Sequence, residues 1–160
     1  MIHRIYVEKI KLFDDSITAL KYLADNDFAI VLITNQAGIA EGIIDEEEFW
    51  VIQEVILNRI SSSGIKVLKT YMNSESATSN VSEWRKPGPK MLIQAAEDLK
   101  LELSEIYMVG DRQSDVQAGI NAGCRGGILV KTANENEESP NAIYIALNLL
   151  DAVHYVVANS

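Results

Sequence analysis

Six consecutive apolar residues, Phe28-Ala29-Ile30-Val31-Leu32-Ile33, run without a polar break and stop at Thr34. The stretch has the length of a strand, and its lack of alternation marks a strand covered on both faces. A fold built around such a strand needs helices on either side of it, and the chain offers them. Asp15 or Ser16 can cap a helix reaching about Ala24, with Ile17, Leu20 and Leu23 at helical spacing. Asp45 is placed to cap a longer helix in which Phe49, Ile52, Ile56 and Ile60 recur on one face, and Gly64 stands where a glycine commonly ends a helix.

Strand and helix continue to alternate. Residues 66–71 read as a second strand. Gly88 and Pro89 open a helix with Leu92, Ala95, Ala96 and Leu99 inward, and residues 106–109 form a third buried strand ending at Gly110-Asp111. Residues 116–122 are helical and closed by Gly123, residues 127–130 make a short strand, and Ile143, Leu147, Leu150 and Val157 mark a C-terminal helix. This alternation implies right-handed βαβ units and a parallel sheet of the α/β class, organised as one domain over residues 1–160. Thr34 and Asp111 then lie just beyond the carboxyl ends of two strands, where open α/β sheets bind ligands.

Composition narrows the functions. With 160 residues, 48% of them hydrophobic, the chain can bury a core without covalent staples. Its single cysteine, Cys124, excludes an internal disulfide and any multi-cysteine zinc cluster, and it reads as a small buried hydrophobe. His3 and His154 read as surface or packing residues. No apolar run approaches the ~18 residues of a membrane span, and the first ten residues lack a signal-peptide core, so the expectation is a cytoplasmic protein with no membrane partner. A net charge of −9 argues against a nucleic-acid partner, which calls for a basic surface. A small anion remains open, because a few cations and backbone N–H groups can dominate one pocket.

Three constellations bear on such an anion, two by holding it and one through a metal. Thr34-Asn35-Gln36-Ala37-Gly38 offers a hydroxyl, exposed backbone N–H groups and a permissive glycine at a strand end, although a turn this short is more often only a strand-ending loop. Arg85-Lys86 places two cations before Pro87 at a helix mouth, where a planar guanidinium can fork onto phosphate and Lys acts as a point charge. The bland alternative there is a solvated basic pair. Gly110-Asp111-Arg112-Gln113-Ser114-Asp115 follows a buried strand and sets the Asp111 carboxylate at the sheet edge, a hard oxygen ligand suited to Mg²⁺. Asp115 reads as a helix cap.

Taken together, these runs resemble the last three of the four motifs of haloacid-dehalogenase (HAD) superfamily phosphatases. Thr34-Asn35-Gln36-Ala37-Gly38-Ile39-Ala40-Glu41-Gly42 is similar throughout to the second motif of the subgroup holding the D-glycero-D-manno-heptose 1,7-bisphosphate phosphatases and histidinol-phosphatases. Arg85-Lys86-Pro87 resembles the third motif and residues 109–123 the fourth. The resemblance spans roughly residues 6–132. It implies a HAD-like, Rossmannoid three-layer α/β/α fold and Mg²⁺-dependent hydrolysis of a small phosphorylated sugar. In that scheme an aspartate attacks phosphorus, Thr34 and Lys86 act on the phosphoryl group, Asp111 holds the metal, and Asn35, Gln36, Ala37, Arg85 and Arg112 contact substrate.

Two departures set expectations. The first motif, DxDGT, is not found: residues 1–13 contain one carboxylate, Glu8, and no aspartate, with Ile10 where a proton-transferring partner belongs. Residues 6–13 look like the stretch that follows this motif in heptose-bisphosphate phosphatases, so the expectation is a chain N-terminally truncated relative to the family. Its first catalytic strand should be absent, or replaced by residues 2–7. The second departure is the loop of residues 72–84, where many relatives carry a zinc cluster and this chain has neither Cys nor His, so no zinc is expected. The readings that follow are a phosphatase inactive as the chain stands, a non-catalytic phosphosugar-binding or structural domain, or, least favoured, a polynucleotide 3′-phosphatase.

Overall fold

The computed structural model describes residues 3–7, 14–76, 82–131 and 136–160. In chain order the elements are β1 (His3–Val7), α1 (Asp14–Asp25), β2 (Phe28–Asn35), the single turn α2 (Ala37–Ala40), α3 (Glu46–Ser62) and β3 (Val67–Asn73). They are followed by α4 (Lys90–Leu99), β4 (Ile106–Gly110), α5 (Gln113–Ala122), β5 (Gly126–Val130), β6 (Tyr144–Ala146) and α6 (Leu149–Ala158). The strands form one sheet in the order β3-β2-β1-β4-β5-β6, each pair parallel.

The unbroken apolar run of β2 serves two cores. Ile30 and Leu32 point to one face, where they pack with Leu20 and Leu23 of α1 and Val153 and Val156 of α6. Val31 and Ile33 point to the other, against Met91, Leu92 and Ala95 of α4 and Ala118 of α5. In β4, Tyr107 and Val109 join the first core and Ile106 and Met108 the second. Because side chains alternate across a strand, helices on both faces demand apolar residues at every position. The result is the expected three-layer α/β/α arrangement.

The central slot of the sheet, between β2 and β4, is filled by β1, where Val7 lies opposite Leu32 on one side and Val109 on the other. The chain thus supplies its own central strand, as anticipated for residues 2–7. Glu8 and Ile10 lie outside the described residues.

Several local expectations need correction. Neither Asp15 nor Ser16 caps α1, which already starts at Asp14. Asp45 does cap α3, its carboxylate accepting the Glu47 N–H at 3.3 Å, but Ile52 is exposed. The covered stripe runs Phe49, Gln53, Ile56, Leu57, Ile60, since α3 lies over β3 at the sheet border and only one line of residues finds a partner. Gly64, at φ +81°, follows the end of α3, as expected. At the other border, Ile143 and Leu147 are not helical: β6 intervenes, Ile143 precedes it, and α6 begins only at Leu149, capped by the Asn148 side chain. Between β3 and α4, the Tyr71 hydroxyl donates to Asp98 at 2.8 Å. Burial, reinforced by that carboxylate, pushes the Tyr71 phenol up, while the hydroxyl bond holds the Asp98 carboxyl below its usual range.

Candidate functional site

The carboxyl ends of β2 and β4 flank that of β1, so Thr34 and Asp111, each two residues beyond a partner of Val7, emerge on the same edge. Thr34 is nearly buried, and its Oγ1 accepts from Gln36 Nε2 at 2.9 Å, which leaves the hydroxyl proton to be donated elsewhere. Gln36 is held in turn by its backbone N–H, which donates to the Asn73 carbonyl at 2.7 Å. Ala37 begins α2. Gly38 has no positive φ; its carbonyl accepts from the N–H groups of Ile43 and Ile44, and the left-handed position of the turn is Gly42, at φ +72°. The permissive glycine is therefore four residues later than the sequence reading placed it.

Lys86 meets this turn. Its backbone N–H donates to Asn35 Oδ1 at 3.3 Å, across 51 residues of chain. The Arg85-Lys86-Pro87 turn is shaped by the Gly88 N–H donating to the Arg85 carbonyl at 2.7 Å and the Lys90 N–H to the Glu83 carbonyl at 2.9 Å. Gly88 is packed so closely that an added Cβ would stand 2.3 Å from the Glu83 carbonyl oxygen. From the far side, Asn121 Nδ2 donates to the Pro87 carbonyl at 3.0 Å, tying the turn to α5. Arg85 is half-buried, with Nη1 donating to the Glu75 carbonyl at 3.2 Å.

The sequence reading missed the partner of the Lys86 ammonium. Lys86 Nζ donates to Asp115 Oδ1 at 2.7 Å, with the two side chains 0% and 1% exposed. Asp115 Oδ2 accepts the Arg112 backbone N–H at 3.1 Å, so one carboxylate closes the first turn of α5 and neutralises a buried cation. It fits because Gly110 has no side chain: a Cβ there would lie 2.3 Å from Asp115 Oδ2. The signal in the sequence was the carboxylate itself, one helical turn after Asp111; a capping role satisfied the local pattern and hid the tertiary one. Arg112 is exposed, while Asp111 is half-buried with its Oδ1 out of contact with water. Glu137 adds another carboxylate nearby, its Oε1 accepting the Gln113 N–H at 2.8 Å.

Thr34 and Gln36 are thus tied to β3 through Asn73, Asn35 is bonded to Lys86, and Lys86 and Arg112 are joined through Asp115. The arrangement brings a hydroxyl proton, a desolvated ammonium, a guanidinium and a metal-competent carboxylate to one edge of a parallel sheet. Among the described residues no group of three or more His, Cys, Asp or Glu side chains converges as a metal cluster, and no helix is long and apolar enough to cross a membrane. Two surface clefts, one lined by Leu57, Ile65 and Val67 and one by Ile93, Leu101 and Leu103, carry none of the candidate residues.

Comparison with known proteins gives this arrangement its context. Residues 83–152 match the family model of HAD-hydrolase-like proteins. D-glycero-beta-D-manno-heptose-1,7-bisphosphate 7-phosphatase of Yersinia pestis is 34% identical over 132 residues, covering 79% of this chain and 70% of the relative. D-glycero-alpha-D-manno-heptose-1,7-bisphosphate 7-phosphatase of Photorhabdus laumondii is 31% identical over 153 residues, covering 90% and 84%. Among solved structures, D,D-heptose 1,7-bisphosphate phosphatase from B. bronchiseptica, complexed with magnesium and phosphate, superposes with a TM-score of 0.86 at 21% identity, over 99% of this chain and 100% of that one.

Proposed function

This chain belongs to the HAD-like hydrolases, in the group of the heptose 1,7-bisphosphate phosphatases, and from that premise we propose that its carboxyl sheet edge binds the phosphate of a small phosphorylated sugar such as heptose bisphosphate. The observation that supports this most directly is the bond from the Lys86 N–H to Asn35, which joins the turn after β2 to the Arg85-Lys86-Pro87 turn. In this reading the Thr34 hydroxyl donates to a phosphate oxygen, and Lys86, shielded from water, acts on the phosphoryl charge at low dielectric, where a fixed cation is worth far more than in solvent. Asn35, Gln36 and Ala37 present the turn's backbone to the anion, while Arg85 and Arg112 grip the remainder of the substrate.

Magnesium fits the donor set. Asp111 is a hard oxygen ligand, and Mg²⁺ takes one or two carboxylates and completes its shell with waters and phosphate oxygens. When bound it would neutralise charge on the phosphoryl oxygens. Among the candidate residues, Asp111 is the one that would hold the ion.

Turnover is a separate matter. Phosphomonoester hydrolysis by the aspartyl route needs a nucleophile at the end of the central strand, and residues 1–13 contain no aspartate. We therefore read the 160-residue chain as a phosphosugar binder without appreciable phosphatase activity. The test pairs calorimetric binding of inorganic phosphate with Mg²⁺ against release of phosphate from heptose 1,7-bisphosphate. Binding without turnover is the expected result, with binding lost in Lys86→Ala. Turnover abolished by Asp111→Ala would show that another group replaces the aspartate, and an absence of phosphate binding would remove the site reading altogether.

A further inference from the structure

Glu75 is the second residue beyond β3, on the same sheet edge as the candidate phosphate site. Its backbone N–H donates to Asn73 Oδ1 at 3.1 Å and its carbonyl accepts from Arg85 Nη1 at 3.2 Å. Since the Asn73 carbonyl also holds the Gln36 N–H, Glu75 is pinned between the turn that begins at Thr34 and the guanidinium of Arg85. Its carboxylate oxygen Oε2 is buried and accepts no hydrogen bond from the described residues. A carboxylate oxygen taken out of water without a donor is costly, and such groups call for a partner that the described residues do not provide.

We infer that Glu75 accepts a hydrogen bond from a hydroxyl on the carbon frame of the bound phosphate ester, and so selects polyhydroxylated esters over bare ones. The inference rests on the phosphate-site reading above. Glu75 is only half-buried, and the last torsion of a Glu side chain is broad, so Oε2 can turn towards a ligand at little cost. Its backbone is tied through Asn73 to the Gln36 N–H and directly to the Arg85 guanidinium, so it stands beside both the turn assigned to the phosphate and a group assigned to the remainder of the ester. A cation is a poorer occupant, because among the described residues no cluster of further carboxylates or histidines joins Glu75.

The experiment compares two monoesters of equal charge, heptose 7-phosphate and methyl phosphate, by calorimetry with Mg²⁺ on the full chain and on Glu75→Ala. A hydroxyl bonded to a carboxylate predicts that the wild type prefers heptose 7-phosphate, and that Glu75→Ala lowers that preference by about tenfold while leaving methyl phosphate unchanged. Thermal stability of the free variant should not fall, since Oε2 has no donor to lose among the described residues. Should Glu75→Ala fail to fold, the isosteric Glu75→Gln carries the test, with a fall in preference of about threefold, as a neutral acceptor is the weaker one. Equal affinity of the wild type for both esters, or a loss shared by both in the variant, overturns the assignment. Failure of methyl phosphate to bind the wild type at all instead refutes the phosphate site, and this inference with it.

Discussion

Replacing Asp115 with alanine isolates the buried ion pair. In the native chain the Lys86 ammonium is fully enclosed and meets Asp115 Oδ1 at 2.7 Å, while Oδ2 takes the Arg112 N–H at 3.1 Å. Alanine removes both acceptors at once and leaves the cation out of water. Breaking one side of a buried pair costs about 3–5 kcal/mol, far more than the near-zero value of a surface pair such as Lys21–Asp25. For a chain of this size about 1 kcal/mol lowers Tm by roughly 2–4 °C, so Asp115→Ala should melt roughly 6–20 °C below the wild type. Removing both charges tells a different story: Lys86→Met with Asp115→Leu fills the same space without desolvating an ion, and should recover most of the loss. Urea melts of the wild type, Lys86→Met, Asp115→Leu and the double variant close a double-mutant cycle and, with m-values checked for constancy, give the coupling directly. A cost for Asp115→Ala below about 1 kcal/mol, or a double variant as unstable as the sum of the singles, would show that the pair is hydrated or unformed and refute the argument.

Two further outcomes follow from packing. Burial pushes the Cys124 thiol up from 9.0 to about 12, so a disulfide-exchange reagent at pH 8 should leave the native chain unlabelled and label it on unfolding. Because the folded state keeps the proton, this group's contribution to stability is full below pH 9 and is lost as the pH rises towards about 12, a component that Cys124→Ala should remove from an alkaline denaturation series. Gly119→Ala would set a Cβ 2.6 Å from Met108 Cβ, forcing α5 away from β4 at a cost of about 1–3 kcal/mol despite alanine's better helix propensity. A urea midpoint equal to that of the wild type would show that α5 shifts freely, which the buried Val116 and Ala118 argue against.

How much of this was legible depends on the range over which each signal acts. The run of residues 28–33 dictated a doubly covered strand, and with the other apolar runs and the glycines at 64 and 123 it implied the α/β layers, because strand burial and helix termination are decided within a few residues. The candidate residues at the ends of β2 and β4 were also readable, since a strand's end and its following turn are neighbours in sequence. Local pattern misled where two fates share one pattern. Ile143 and Leu147 have helical spacing to Leu150, yet the short β6 claims the segment between them because the border of β5 offers unpaired backbone groups. Ile52 fits a helical stripe as well as its neighbours do, and it is exposed because a border strand gives α3 only one line to cover.

The sequence by itself determined the elements, their alternation and the residue types available at the edge where phosphate would bind, all consequences of local backbone preference and of which side chains leave water. Only the tertiary structure decided that His3–Val7 takes the central slot, that Lys86 is satisfied by an aspartate 29 residues away, and that Glu75 keeps an oxygen without a donor. Strand order and ion pairing depend on which surfaces meet once the chain has closed on itself, and that choice is made by the summed fit of both cores rather than by any window of residues.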